Sequence, residues 1–176
     1  CAPASEFVTL YPHRTESLNL IWPVGGARYR MRNFGRFAAH VGWVVEHGLQ
    51  ALVEKAMIAS KGFAKDPTLG PWGSAVKNDA SLESSLRSCD ETRYAGYVEA
   101  SYRAMFDCDS AVGPKPEQLM QVRAPVSIIP GDDTSHARSA AYFINECISQ
   151  AQLLSLNVED QISDSVFTFF DEFYEF

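Results

Sequence analysis

Apolar residues are patterned differently at the ends of the chain and in its middle. Three short, continuous apolar runs are typical of buried strands: residues 17–22, 125–130 and 151–156. Apolar residues spaced three or four apart predict helices beside them over residues 3–11, 137–149 and 163–175. Strands that alternate with helices in this order predict an α/β fold with a parallel sheet covered on both faces.

The middle of the chain predicts helices and loops without a strand. Helical spacing occurs over residues 31–47, 49–59, 81–88 and 92–106, and a short helix is predicted from near Pro116 through Met120. Glycine and proline are frequent between residues 62 and 73, which indicates a loop. The pattern therefore predicts a core formed by residues 1–24 and 121–176, with an all-helical insertion over residues 25–120.

Three strands are too few for an independent parallel sheet. We expect an N-terminal segment, a companion chain or a second copy of this chain to cover the open edge. Because the first residue is Cys1 rather than Met, we expect a longer chain that was cut or truncated. A lipidated or secreted end is one alternative. The other is a self-cleaved enzyme with Cys1 as nucleophile, although the residues after Cys1 predict a helix and not a strand.

Composition narrows the classes of function. The 176 residues are 46% hydrophobic and 21% charged, as in a soluble globular protein. A net charge of -7 disfavours nucleic-acid binding, and no apolar run approaches the roughly 20 residues that span a bilayer. The four cysteines lack zinc-site spacing, which favours free thiols in a reducing compartment such as the cytoplasm. One disulfide in a secreted form is the alternative.

Two stretches resemble α/β-hydrolase sequences. Residues 11–26, Tyr-Pro-His-Arg-Thr-Glu-Ser-Leu-Asn-Leu-Ile-Trp-Pro-Val-Gly-Gly, are similar to the family's segment that leaves the helix after the nucleophile, forms a strand and enters the cap. Residues 124–137, Ala-Pro-Val-Ser-Ile-Ile-Pro-Gly-Asp-Asp-Thr-Ser-His-Ala, resemble the strand and turn that present the catalytic acid. The resemblance implies the C-terminal part of an α/β-hydrolase fold, with residues 25–120 as the helical cap.

The sequence departs from this family in two respects. No G-x-S-x-G nucleophile turn occurs, so the resemblance places that turn upstream of Cys1, on a missing segment or a companion chain. The family's histidine follows the last strand, whereas residues 156–163 contain none. The resemblance implies part of an enzyme that cleaves a small ester, amide, epoxide or carbon–carbon substrate, with a base that has moved. A non-catalytic ligand-binding or interaction module of the same fold is the alternative.

The candidate catalytic residues follow the predicted strand 125–130. Asp133 matches the family's acid, which would hold and charge-stabilise a histidine, and Asp132 is the competing choice. His136 lies three residues after Asp133 and is the candidate base or substrate ligand. Turn formation or helix capping is the alternative for the two aspartates, and capping or loop packing is the alternative for His136. Their spacing is too common to indicate a metal site, and no cofactor is expected.

Candidate substrate-binding residues precede or lie in the helical insertion. Trp22 closes a predicted strand at the sheet edge that carries Asp133, and Tyr29 follows shortly after it. Arg28, Arg30, Arg32 and Arg36 would suit an anionic substrate, or else form a solvated surface. His40 lies within an amphipathic helix, where it either faces the cleft or packs in the core or at the surface. For Trp22 and Tyr29, core packing is the default alternative.

Overall fold

A computed structural model of the chain describes residues 1–106 and 110–156, and it divides into two compact units. Unit 1 comprises Cys1–Gly26 and Ser110–Phe176, and unit 2 comprises Ala27–Asp109. The predicted helix over residues 163–175 lies outside the described residues. In chain order the elements are α1 (Ala2–Leu10), β1 (Leu18–Ile21), α2 (Ala27–Ile58), α3 (Gly73–Val76), α4 (Ala80–Ser88), α5 (Glu91–Phe106), α6 (Pro116–Leu119), β2 (Val126–Ile129), α7 (Arg138–Cys147) and β3 (Ala151–Leu153).

Unit 1 is built on a three-stranded parallel sheet in the order β1-β2-β3. All four residues of β2 are buried, because this strand is central and both of its faces are covered. Ser127 is the buried polar residue of β2, and its hydroxyl donates to Asn19 Oδ1 of β1 at 2.5 Å. The sheet and its helices confirm the predicted mixed α/β class.

Two strands are shorter than their apolar runs, because prolines flank β2 and a left-handed residue ends β1. Pro125 precedes β2 and Pro130 follows it, and neither has an amide hydrogen for a sheet ladder. After β1, Trp22 adopts a φ of 52°, a left-handed conformation that ends the extended run. The structured strands therefore cover residues 18–21 and 126–129 rather than 17–22 and 125–130.

Residues 110–120 group with unit 1, although the sequence pattern assigned them to the insertion. Ala111 and Leu119 are both buried in the core of unit 1. Residues 24–26 and 110–112 also run side by side, joined by backbone hydrogen bonds from Gly26 to Ser110 and from Val112 to Val24. The segments of unit 1 that lead into and out of unit 2 are therefore held together.

Over the described residues 27–106, the regular elements of unit 2 are all helical and are joined by loops, with α2 and α5 packed along each other. The two helices predicted over residues 31–47 and 49–59 form one element interrupted at Gly48, whose φ is 83°. The positive φ favours glycine, and a Cβ atom here, 2.5 Å from Glu91 Oε1, would displace that side chain. The same Glu91 oxygen accepts the Leu49 amide at 3.1 Å and caps the second half of the helix.

None of the described helices combines the length and the apolar character that crossing a membrane requires.

Candidate functional site

Asp133 and His136 form a hydrogen-bonded pair on the loop between β2 and α7. His136 Nδ1 lies 2.8 Å from Asp133 Oδ2, and the two side chains are 30% and 47% exposed, respectively. The loop leaves the carboxyl end of the central strand, which is the edge where open parallel sheets carry their ligands. The structure thus joins the two residues that the sequence singled out as candidate acid and base, and the carboxylate in contact with His136 is that of Asp133.

The backbone of this loop holds the carboxylate in position. Asp133 Oδ1 accepts the amides of Ser135 at 2.6 Å and His136 at 2.9 Å. Gly131 allows the loop to close on itself, because a Cβ atom there would lie 2.4 Å from the His136 carbonyl oxygen. Asp133 is therefore fixed through one oxygen and contacts the imidazole through the other.

The hydrogen bonds determine the charge and the tautomer of the pair. The contact with His136, followed by the amide of Ser135, lowers the pKa of Asp133, so this carboxyl group is ionised near neutral pH. An ionised carboxylate only accepts hydrogen bonds, which requires that His136 Nδ1 carries the proton. In the neutral imidazole the lone pair then lies on Nε2, which makes Nε2 the atom that can take up a proton.

Trp22 is the third predicted residue that the structure places at this edge. Its ring centroid lies 5.8 Å from that of His136, with the planes tilted by 47°. The Trp22 amide donates to the Ile129 carbonyl at 2.9 Å, which ties the residue to the end of β2. A left-handed backbone costs a non-glycine residue about 1–3 kcal/mol, and such outliers concentrate at functional sites. Trp22, Asp133 and His136 therefore form the candidate site of unit 1.

The other predicted substrate-binding residues belong to unit 2, where Arg30 and Arg36 bind neutral backbone carbonyls. Arg30 Nε donates to the Phe106 carbonyl at 3.1 Å, and Arg36 donates to the Ala64 carbonyl at 3.0 Å. Arg28 is exposed, and Tyr29 packs edge-on against Phe106 with a centroid distance of 5.8 Å. Burial raises the pKa of Tyr29. These contacts give Arg30, Arg36 and Tyr29 roles in holding unit 2 together.

His40 is completely buried in unit 2. Of the alternatives that the sequence left open for this residue, the structure therefore favours packing in the interior. Its Nδ1 lies 2.9 Å from the Thr68 carbonyl and its Nε2 lies 2.7 Å from the Tyr94 hydroxyl. Because a carbonyl only accepts, Nδ1 carries the proton and Nε2 accepts from Tyr94. The Tyr94 oxygen in turn accepts the Trp72 indole N–H at 2.6 Å. The helical spacing over residues 92–106 did not identify Tyr94 as the partner of His40.

Burial and hydrogen bonding keep this chain of groups neutral. Burial lowers the pKa of His40 and raises the pKa of Tyr94 to about 12. At neutral pH the imidazole therefore lacks its second proton and the phenol keeps its own. Each of these groups is hydrogen-bonded inside unit 2, which is the arrangement expected of a structural histidine.

The described cysteines and acidic residues add no metal or disulfide chemistry. Cys1 is exposed and its thiol donates to the Ile21 carbonyl at 3.1 Å, just before helix α1. Cys1, Cys89 and Cys147 form no disulfide among the residues that the structure describes, and Cys108 lies outside them. Over residues 1–106 and 110–156, no group of three or more His, Cys, Asp or Glu side chains is arranged to hold a metal ion.

In comparisons with known proteins, no family model matches the chain, and neither a curated protein nor a solved structure matches it. The geometry of the two units is therefore the basis for the functional proposals below.

Proposed function

We propose that this chain is the part of an α/β-hydrolase-like enzyme that carries the acid and the base. The observation that supports the proposal best is the 2.8 Å contact between His136 Nδ1 and Asp133 Oδ2 on the loop after the central strand. In Ser-His-Asp enzymes a carboxylate holds the imidazole in this same tautomer, so that Nε2 accepts the proton of the nucleophile.

The proposed chemistry starts with His136 Nε2 as general base. It would remove the proton from a hydroxyl or thiol nucleophile as that group attacks the substrate, and would later return the proton to the leaving group. Asp133 would be a positioning residue that stabilises the imidazolium while it exists. Trp22 would provide an apolar wall beside the imidazole. The substrate class is a small ester, amide, epoxide or activated carbon–carbon bond.

The nucleophile of the proposed reaction comes from outside these 176 residues. The sequence contains no G-x-S-x-G or G-x-C-x-G turn. The proposal therefore requires such a turn on a preceding segment or a companion chain, next to the open edge of β1. The base also differs from the family's pattern, since His136 lies on the same loop as the acid rather than after the last strand.

Steady-state hydrolysis of p-nitrophenyl butyrate by the full reading frame, with any companion chain, tests the proposal. We expect His136→Gln and Asp133→Asn to lower kcat by about 10²–10⁴-fold, the usual contribution of a positioned general base. KM should change by less than about threefold, since neither group is required for ground-state binding. Asp132→Asn is the matched control, because it removes the neighbouring charge and leaves Asp133 in place.

The alternative function is a non-catalytic ligand-binding module of the same fold. The amide hydrogen bonds of Asp133 favour it, because they suffice to explain an aspartate that only shapes a turn. In that case the wild-type protein would hydrolyse neither ester, amide nor epoxide probes. If the wild-type protein is active and His136→Gln keeps the same kcat, His136 is not the base.

A further inference from the structure

Unit 2 contains a cavity of about 420 Å³ that is separate from the Asp133–His136 pair. Four aromatic side chains, Phe37, Trp72, Tyr94 and Tyr97, contribute to its walls, together with Val98 and Met105. The volume lies in the range of small-molecule sites, which are usually concave and largely apolar. We propose that this cavity binds an uncharged aromatic molecule of one or two rings.

The floor of the cavity is built on rigid elements. Tyr94 and Val98 are only 7% and 5% exposed, and they lie one turn apart on α5. Tyr94 is fixed by its hydrogen bonds to His40 and Trp72, so the floor and one wall are held in a single arrangement. A preformed cavity of this kind spares the ligand the entropic cost of ordering side chains.

Large apolar groups are exposed at the rim of the cavity. Tyr97 is 61% exposed, Trp72 39% and Met105 38%. A bound ring would remove these groups from water, and aromatic pairs are stabilised beyond the area that they bury. The rim therefore favours a flat aromatic ligand over a branched aliphatic one of equal volume.

The polar atoms around the cavity favour an uncharged ligand. The Tyr94 hydroxyl and the Trp72 indole N–H bind each other, and the Ser101 hydroxyl donates to the Tyr97 carbonyl at 2.7 Å. Among the described residues that line the cavity, none carries a formal charge. A charged ligand would lose hydration here and would find no oppositely charged side chain among the lining residues, which is unfavourable.

Binding of N-phenyl-1-naphthylamine, an uncharged dye that fluoresces in apolar surroundings, tests the proposal on the whole chain. We expect saturable binding of one dye per chain. Ser101 lines the cavity and is exposed, so Ser101→Phe should fill the space and weaken binding about tenfold or more. Ala100→Phe adds the same ring at an exposed position of the same helix that does not line the cavity, and should leave the affinity within about twofold.

Cys89 provides a second measurement that needs no variant. Cys89 lines the cavity, so saturating dye should slow its alkylation by N-ethylmaleimide, while alkylation of the exposed Cys1 continues unchanged. Peptide mass mapping separates the two sites. Competition by neutral 1-naphthol but not by 1-naphthoate would support the uncharged class.

Three results would overturn the proposal: equal dye affinity in Ser101→Phe and Ala100→Phe, no protection of Cys89, or tighter binding of naphthoate than of naphthol. None of these measurements depends on ester hydrolysis, so they remain distinct from the test of the Asp133–His136 pair.

Discussion

Two histidines of this chain, one in each unit, differ in exposure and in hydrogen-bond partners. His136 in unit 1 is part of an exposed loop and pairs with an ionised carboxylate at 2.8 Å. His40 in unit 2 has no exposed surface and binds a carbonyl and a phenol. In both, Nδ1 carries the proton, so the tautomer is the same. What differs is the charge of the partners and the access of solvent.

The partners of the two imidazoles differ in charge and in access to solvent. At His136 the partner is an ionised carboxylate, and solvent reaches the pair. At His40, protonation would place a second N–H against the Tyr94 hydroxyl and a charge in the core of unit 2, both of which oppose proton uptake. The same side chain therefore has a charged, solvent-accessible setting in unit 1 and a neutral, buried one in unit 2.

Replacing each histidine with alanine separates the two roles most strongly. His40→Ala leaves the Thr68 carbonyl and the Tyr94 hydroxyl without their partner and opens a cavity, which should lower the free energy of unfolding by about 2–4 kcal/mol. His136→Ala, at a partly exposed position, should cost less than about 1 kcal/mol. Urea unfolding followed by far-UV circular dichroism measures both. Equal losses would mean that His136 is also a structural residue.

Removing one hydroxyl sharpens the contrast inside unit 2. Tyr94→Phe deprives both His40 Nε2 and the Trp72 indole N–H of their partner, and should lower the free energy of unfolding by about 1–3 kcal/mol. Tyr97→Phe is the control, because this ring is 61% exposed and its hydroxyl accepts only from the nearby Arg93 side chain in the described contacts. It should stay within about 0.5 kcal/mol of wild type. A neutral Tyr94→Phe would show that the buried chain of groups contributes little stability.

Local sequence features predicted most elements of the fold. The three strands are short apolar runs, and α7 carries Ala140, Ile144 and Cys147 on one buried face, as its spacing predicted. The break at Gly48 was expected because glycine ends helices. The assignment of residues 110–120 to unit 1 was not predictable, because it depends on which distant core Ala111 and Leu119 enter.

At the functional residues, too, contacts between near neighbours in sequence were predictable and contacts between distant residues were not. Asp133 and His136 are three residues apart, so one turn suffices to join them, and their contact was within reach of the sequence. The partners of His40 are 28 and 54 positions away, at Thr68 and Tyr94, and no local pattern connects them. The sequence does not predict the cavity of unit 2 for the same reason, since its walls come from separate segments that meet only in the folded unit.

Acidification provides a further test of the difference between the histidines. The pKa of His40 is lowered by burial from its ordinary value of 6.5, so the unfolded chain binds this proton more readily than the folded one. The contribution of neutral His40 is present above the unfolded pKa and is lost as pH falls below it, by at most about 1.4 kcal/mol per pH unit. Urea unfolding at several values between pH 7.5 and 5.5 should show this slope in wild type and a shallower one in His40→Gln. His13→Gln, at an exposed position, is the matched control for the loss of a histidine side chain. Parallel slopes in wild type and His40→Gln would contradict the neutral imidazole.

Carboxylates provide the last and smallest test, because Glu91 in unit 2 resembles Asp133 without a histidine. Glu91 accepts only the Leu49 amide among the described contacts, so its role is that of a helix cap after Gly48. Glu91→Ala should cost about 1 kcal/mol in the free energy of unfolding, whereas Glu91→Gln keeps an acceptor oxygen and should recover most of it. Glu99→Ala, which removes an exposed ion pair with Arg103, should cost no more than about 0.5 kcal/mol.

Asp133→Asn makes the same comparison in unit 1, because asparagine keeps an acceptor oxygen and loses the charge. If this variant retains wild-type stability while kcat falls, amide capping and imidazole positioning are separable functions of one carboxylate. Only the second function then requires the charge.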